Sequence, residues 1–311
     1  MTETVAIGSY KDHERAALDA AFAPLHLDHV GALADLPQDV RESVRAVAYK
    51  GHRPFGAAEM DLLPALGIIA NYGVGFDAID VAAARARGVA VTNTPDVLND
   101  DVADLAIAMW LMQVRETEHA SRWVREGQWK ARGEYRLNRQ ASGKRAGILG
   151  LGRIGREIAG RLQGFKMDIH YHARSEKETP GWTYHADPVA LAAAVDVMFV
   201  ALVGGSATAG YVSREVIEAL GPEGVLVNIS RGTTVDEAAM LDALETGRLG
   251  GAALDVFLNE PDIDPRFFAI PSVVIQPHQG SGSAETRAAM AALQRENVAA
   301  FLAGLALPTP V

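Results

Sequence analysis

The sequence predicts an α/β fold with parallel sheets divided between two domains, and three observations support this. Short apolar runs alternate with segments of helical spacing along most of the chain, which is typical of parallel sheets. A glycine-rich turn of the form G-x-G-x-x-G lies near the middle of the chain, at Gly150–Gly155. The length of 311 residues exceeds what one hydrophobic core usually holds. A further domain therefore precedes the one that contains this turn.

The first hundred residues contain the elements of one parallel sheet. We predict a helix at Glu14–Ala23 and strands at Thr4–Gly8, Ala46–Tyr49, Ile68–Ala70 and Val89–Thr92. The third strand runs into a second glycine-rich turn, Asn71–Phe76. An N-cap cluster that begins at Asn99 then opens an apolar helix, which ends near Val114.

The G-x-G-x-x-G turn follows the apolar run Ala146–Leu149 and precedes the helical pattern Arg156–Leu162. In this strand–turn–helix context the first glycine permits the turn, the second lets the backbone approach a pyrophosphate, and the third allows close helix packing. The helix N-terminus favours the anion. A structural glycine turn is the alternative. The candidate cofactor contacts here are Gly150, Leu151, Gly152, Arg153, Ile154 and Gly155.

Alternating strands and helices continue after the turn. We predict strands at Lys166–Tyr171, Asp196–Leu202, Gly224–Ile229, Gly251–Val256 and Val273–Ile275, with helices between them and a long helix at Ser283–Leu305.

Three polar residues follow consecutive predicted strands, where an open α/β sheet places its chemistry. Arg231 can clamp a carboxylate and polarise a ketone with its forked donors. His278 can donate a proton to a developing alkoxide, and Glu260 can orient the ring and favour its protonated form. Each has a structural alternative: an arginine can be a solvated loop charge, Glu-Pro is often a turn, and a histidine often caps or packs. Their joint order after a dinucleotide motif favours a 2-oxo acid reductase.

Composition excludes several classes of function. The formal net charge of −10 argues against nucleic acid or an anionic membrane as the main partner. The absence of cysteine excludes disulfides, thiol chemistry and thiolate metal sites. The nine histidines show no metal-ligand spacing, so we expect no metal. Met1–Thr4 lacks the features of a signal peptide, and the apolar stretches are too short for a bilayer, so we expect a cytoplasmic protein.

The cofactor preference follows from the end of the second strand beyond the turn. An NAD enzyme usually places an acidic residue there. This chain instead has Ala173, Arg174 and Ser175, and an arginine and a serine can bind a 2′-phosphate. An exposed loop cation is the alternative. We predict a preference for NADP(H), with NAD(H) also possible.

Six segments resemble the D-isomer-specific 2-hydroxyacid dehydrogenase family, in particular its glyoxylate/hydroxypyruvate and hydroxyphenylpyruvate reductase branch. They are Asn71–Asp80, Val89–Ala106, Ala146–Gly155, Leu226–Gly232, Gly247–Pro261 and Gln276–Gly282. With the element pattern, the resemblance implies two Rossmann-like domains. A nucleotide-binding domain of residues 100–282 is inserted into a flavodoxin-like substrate-binding domain of residues 1–99 plus 283–311.

The resemblance also implies roles for individual residues. Arg231 matches the arginine that binds the substrate carboxylate and carbonyl, His278 the acid/base histidine, and Glu260 its partner. Val74 and Gly75 match a turn whose N–H groups hold the substrate carboxylate. The positions that match residues beside the nicotinamide are Ile229, Arg231 and Asp255. The implied reaction is hydride transfer from a reduced nicotinamide to a 2-oxo acid, which gives the D-hydroxy acid.

Three expectations concern partners and alternatives. The region Trp123–Arg139 resembles one that lies near a dimer interface in this family, so we expect a homodimer. A related dehydrogenase acting on another small anion has the same Arg–Glu–His order. A non-catalytic dinucleotide-sensing regulator could use the same fold, although retention of all three residues argues against it.

Overall fold

The computed structural model of the protein describes residues 3–311. The chain forms two compact units. The first consists of the residues up to Leu98 together with Gly282–Val311, and the second is Asn99–Ser281. Each unit contains one sheet in which the strands are parallel to their neighbours. The predicted α/β fold with two parallel sheets is therefore confirmed.

The first unit has a five-stranded sheet in the order β2-β1-β3-β4-β5. Its strands are β1 (Thr4–Gly8), β2 (Leu25–Leu27), β3 (Ala46–Lys50), β4 (Ile68–Asn71) and β5 (Ala90–Thr92). Its helices are α1 (Asp12–Phe22), α2 (Gln38–Ser43), α3 (Ala57–Asp61), α4 (Val81–Ala86) and α12 (Ala284–Leu302). The three inner strands β1, β3 and β4 are rich in buried apolar residues, as expected where helices cover both faces of a parallel sheet.

The second unit has a seven-stranded sheet in the order β12-β11-β10-β9-β6-β7-β8. Its strands are β6 (Arg145–Leu149), β7 (Asp168–His172), β8 (Thr183–His185), β9 (Val197–Val200), β10 (Val225–Asn228), β11 (Gly251–Leu254) and β12 (Val273–Ile275). Its helices are α5 (Asn99–Val114), α6 (Thr117–Arg125), α7 (Gln128–Arg132), α8 (Arg153–Gly164), α9 (Pro188–Ala194), α10 (Arg214–Leu220) and α11 (Glu237–Glu245). The sheet reverses its order between β6 and β9, which is the switch point where open α/β sheets bind ligands.

Some element boundaries differ from the prediction. β7 begins at Asp168, two residues later than expected, because Lys166 adopts a left-handed φ of 60° and Met167 N–H still bonds to Leu162 of α8. Ser283 is the N-cap of α12, and its hydroxyl accepts a hydrogen bond from the Thr286 N–H. No helix among residues 3–311 has the length and apolar character that crossing a membrane would require.

Candidate active site

The turn between β6 and α8 forms a bare backbone cradle. Gly150 has a φ of +101°, and a Cβ there would stand 2.6 Å from the Ala201 carbonyl oxygen. A Cβ on Gly155 would overlap the Gly150 carbonyl, so the first turn of α8 packs directly on the loop. Leu151 is buried, while Gly152, Arg153 and Ile154 open the helix. A Cβ on Gly152, the N-cap of this twelve-residue helix, would meet nothing within 4 Å, so the backbone there is open, and this fits a pyrophosphate.

The loop after β7 has the features expected for a 2′-phosphate site. Arg174 and Ser175 are exposed, and the Lys177 ammonium lies 3.3 Å from the Ser175 hydroxyl. The Tyr171 hydroxyl anchors this loop from inside the domain, since it donates to the Lys177 carbonyl and accepts from the Lys177 N–H. β7 ends at His172, so no carboxylate stands at the strand end that usually reads a ribose hydroxyl.

Arg231, Glu260 and His278 follow β10, β11 and β12, which are neighbours in the sheet. Because parallel strands end at the same edge, all three residues belong to one side of the second unit. Gly232 permits the loops to approach, since a Cβ on it would overlap the Phe257 carbonyl. The structure therefore brings together the loops that carry the predicted trio.

His278 and Glu260 form a close pair. The His278 Nδ1 lies 2.6 Å from Glu260 Oε2, and the other carboxylate oxygen accepts from the Phe257 N–H at 2.8 Å. An ionised carboxylate cannot donate, so Nδ1 carries a proton and donates to Glu260, and Nε2 is the ring nitrogen that does not face Glu260. The two side chains are 31% and 28% exposed, which allows a small substrate to reach the ring.

Asp255 holds the turn that carries His278. Its carbonyl accepts the His278 N–H at 2.9 Å, and its carboxylate accepts the N–H groups of Gln279 and Gly280, both at 2.8 Å. His278 itself has a left-handed φ of 51°, which is uncommon for residues other than glycine. The pKa of Asp255 is raised, because the effect of burial exceeds that of the hydrogen bonds from the Gln279 and Gly280 N–H groups, which lower it. Asp255 is therefore a brace for the histidine as well as a candidate cofactor contact.

The backbone around Arg231 is also fixed by side chains. Its carbonyl accepts from the Asn228 amide at 3.0 Å and from the Thr234 hydroxyl at 2.6 Å. Its guanidinium donates to the Ser230 carbonyl at 2.8 Å. Ile229, the predicted neighbour of the nicotinamide, is buried between β10 and this turn. Loop 203–206, which follows β9, is held by the Thr208 hydroxyl, which donates to the Val203 carbonyl at 2.6 Å.

In the first unit, the Val74–Gly75 turn follows β4 and presents free donors. The Asn71 amide binds the carbonyls of Gly73 and Gly75, and the Asn93 amide binds that of Val74. With the carbonyls held inward, the N–H groups of Val74 and Gly75 have no hydrogen-bond acceptor among residues 3–311. Two unpaired N–H groups in succession suit a carboxylate.

Sequence reasoning missed the residues that support this turn. Asn71 and Asn93 are its amide anchors, and Thr94 adds a hydroxyl that accepts the Gly73 N–H at 3.1 Å. The signal was present, because all three lie at or just after the ends of β4 and β5, the edge at which we sought chemistry. In the part of the chain that the structure describes, no cluster of three histidines or acidic residues could hold a metal ion.

These features define an α/β dehydrogenase in which a dinucleotide turn and an Arg–Glu–His trio share one sheet edge. Comparison with known proteins agrees. Residues 107–280 match the family described as D-isomer specific 2-hydroxyacid dehydrogenase, NAD binding domain. The chain belongs to this family, and the predictions of the family and of a nicotinamide dinucleotide as cofactor are confirmed.

Characterised relatives extend the similarity over most of the chain. A hydroxyphenylpyruvate reductase of Plectranthus scutellarioides is 46% identical over 87% of this chain and 86% of its own. Glyoxylate/hydroxypyruvate reductase A of Arabidopsis thaliana is 45% identical over the same shares of the two chains. The structure is similar to that of an NADPH-dependent glyoxylate/hydroxypyruvate reductase from Sinorhizobium meliloti, solved with NADP and malonate. The TM-score is 0.94 and the identity 40%, over 100% of this chain and 97% of the other.

Proposed function

We propose that the protein reduces small 2-oxo acids to D-2-hydroxy acids, with NADPH as the hydride donor. The observation that carries the proposal is the hydrogen-bonded His278–Glu260 pair, at the same sheet edge as Arg231 and the dinucleotide turn. The reductase relatives support the same reaction class.

The cofactor is held by residues of the second unit. The turn from Gly150 to Gly155 binds the pyrophosphate at the N-terminus of α8, because its glycines leave the backbone N–H groups open. Arg174 and Ser175, next to Ala173, bind the 2′-phosphate. Ile229 and Asp255 lie beside the nicotinamide. When bound, the reduced nicotinamide supplies the hydride that goes to the 2-oxo carbon.

Four residues are assigned to binding and protonation of the substrate. The N–H groups of Val74 and Gly75 hold its carboxylate, and the Arg231 guanidinium binds the carboxylate and polarises the ketone oxygen. His278 releases the proton on Nε2 to that oxygen as the alkoxide develops. Glu260 keeps the ring oriented through its hydrogen bond with Nδ1.

The assembly proposed is a homodimer formed through Trp123–Arg139, and the compartment proposed is the cytoplasm. This region exposes large apolar side chains: Val124 is 53% exposed, Trp129 62% and Leu137 99%. Apolar groups of this size are usually covered by a partner. Light scattering after gel filtration should give twice the mass of one chain, and Leu137→Asp together with Trp129→Asp should give the monomer.

Measurement of NADPH consumption with glyoxylate, hydroxypyruvate, phenylpyruvate and pyruvate in parallel tests the reaction. We expect at least one of these acids to be reduced and its product to be the D-isomer. NADPH binding without turnover of any of them would point instead to a dinucleotide-sensing regulator. Turnover of another small anion only would point to a different dehydrogenase of the superfamily.

A further inference from the structure

A lysine stands at the carboxyl end of the strand next to the Val74–Gly75 turn. Lys50 ends β3, and the Tyr72 N–H bonds to the Tyr49 carbonyl at 2.8 Å, so Lys50 and Tyr72 leave adjacent strands side by side. The Lys50 ammonium lies 4.3 Å from the centre of the Tyr72 ring and 5.3 Å from that of Tyr10. Neighbouring strands are about 5 Å apart, which is close to the length of a three-carbon acid.

The Lys50 ammonium is balanced by one buried carboxylate and keeps donors to spare. Its Nζ lies 2.5 Å from Glu14 Oε2, and the Tyr72 hydroxyl donates to the other oxygen at 2.7 Å. The Lys50 side chain is 17% exposed and Glu14 only 2%. An ammonium has three donors, and within residues 3–311 Glu14 is the one acceptor that Lys50 reaches.

The strand on the other side of the turn offers nothing comparable. There β5 is followed by Asn93, whose amide donates to the Val74 carbonyl, and by Thr94, whose hydroxyl accepts from the Gly73 N–H and is fully buried. When Val74 and Gly75 hold the carboxylate of an oxo acid, the part of that acid beyond its keto group thus finds available donors on the β3 side. This part of the substrate cannot be a second carboxylate, because the ionised Glu14 carboxylate beside Lys50 would repel it. Burial raises the pKa of Glu14, but hydrogen bonds from Lys50, Lys11 N–H and Tyr72 outweigh burial and lower it.

We propose that Lys50 is a specificity residue that donates a hydrogen bond to a hydroxyl group on C3 of the oxo acid. The physiological substrate is then a hydroxylated 2-oxo acid such as hydroxypyruvate, and not an alkyl, aryl or dicarboxylic one. An aryl or methyl group would remove water from the ammonium without replacing its hydrogen bonds, which disfavours such substrates. This inference rests on the proposed function, because it assumes that the Val74–Gly75 turn binds the carboxylate.

The test compares kcat/KM for hydroxypyruvate, pyruvate, glyoxylate, phenylpyruvate and oxaloacetate. In the wild type, kcat/KM for hydroxypyruvate should exceed that for pyruvate by about tenfold or more, which one hydrogen bond to a charged donor can provide. Lys50→Met keeps the length of the side chain and removes its donors. It should lower the ratio of kcat/KM for hydroxypyruvate to that for pyruvate by about tenfold, and it should raise kcat/KM for phenylpyruvate. The value for glyoxylate should change by less than about threefold, because glyoxylate has no carbon beyond its aldehyde group.

Two further variants keep the result interpretable. Lys144→Met removes an exposed lysine at the amino end of β6 and should leave all ratios unchanged. Glu14→Gln combined with Lys50→Met restores charge balance if the single variant folds poorly, and it should show the same loss of ratio. An unchanged ratio in both variants that lack Lys50, or a wild-type preference for oxaloacetate or phenylpyruvate, would overturn the proposal. Failure of the wild type to reduce any of the acids would instead overturn the proposed function.

Discussion

The two contacts of the Glu260 carboxylate make Glu260→Gln a sharp test of the catalytic proposal. One oxygen accepts the Phe257 N–H and the other faces His278 Nδ1. A carboxylate accepts at both oxygens, but an amide offers one acceptor and one donor. While Nδ1 carries its proton, the glutamine can therefore satisfy one contact only, and it turns its NH₂ group toward a donor in the other.

The size of the effect follows from the geometry of this pair. A hydrogen bond to a charged group contributes about 1.5–3 kcal/mol. Because His278 and Glu260 are 31% and 28% exposed, solvent weakens the pair, and we take about 2 kcal/mol. This corresponds to a loss of about thirtyfold in kcat/KM for reduction at neutral pH. Binding of NADPH, measured by fluorescence, should be unchanged.

A control variant checks that the loss is specific to this pair. Glu215→Gln removes an exposed charge of the same sign from α10 and should match the wild type. If Glu260→Gln kept the wild-type rate, Glu260 would be a turn residue and not the partner of His278.

Three other outcomes are expected. Arg174→Ala should raise KM for NADPH about tenfold and leave that for NADH nearly unchanged, and a wild type that used NADH equally well would contradict the assignment. His278→Ala should lower kcat about a hundredfold or more with NADPH binding retained, and normal turnover would exclude it as proton donor. Because hydrogen bonds lower the pKa of Glu14 against the effect of burial, ionised Glu14 stabilises the fold at neutral pH, and this stabilisation is lost as pH falls through the lowered pKa. Glu14→Gln should lower the free energy of unfolding by about 3 kcal/mol at neutral pH, and in urea unfolding this difference should shrink as the solution is made acidic.

The sequence predicted the inner strands well, because their apolar runs are buried on both faces. β1 was predicted from Thr4 to Gly8 as found, and β3 was predicted from Ala46 to Tyr49 and is found from Ala46 to Lys50. The edge strands β2 and β8 were missed, since each has three residues, most of them only partly buried, and carries little pattern. Their pairing depends on the neighbouring strand and not on local propensity.

For the candidate site, sequence patterns gave the residues but not their support. Arg231, Glu260 and His278 could be found because each follows a strand, and parallel order places strand ends together. The link from Asp255 to Gln279 and Gly280 joins residues more than twenty positions apart. No local pattern reports such a contact. The same is true of Lys50 and Glu14, which are 36 residues apart and meet only because β1 and β3 are neighbours.

The residues assigned to proton transfer all lie in one unit of the chain, and those assigned to the carboxylate turn and the lysine beside it lie in the other. Glu260 and His278 fall within Asn99–Ser281, as does Arg231, which binds the carboxylate and the ketone. Val74, Gly75 and Lys50 precede Leu98. Substitutions that change which acid is accepted can therefore accumulate without disturbing the reaction itself. This division makes the chain a suitable host for exchange of its first unit with that of a relative. Such a chimaera should keep the cofactor preference of this chain and acquire the preference among oxo acids of the relative that supplies the first unit.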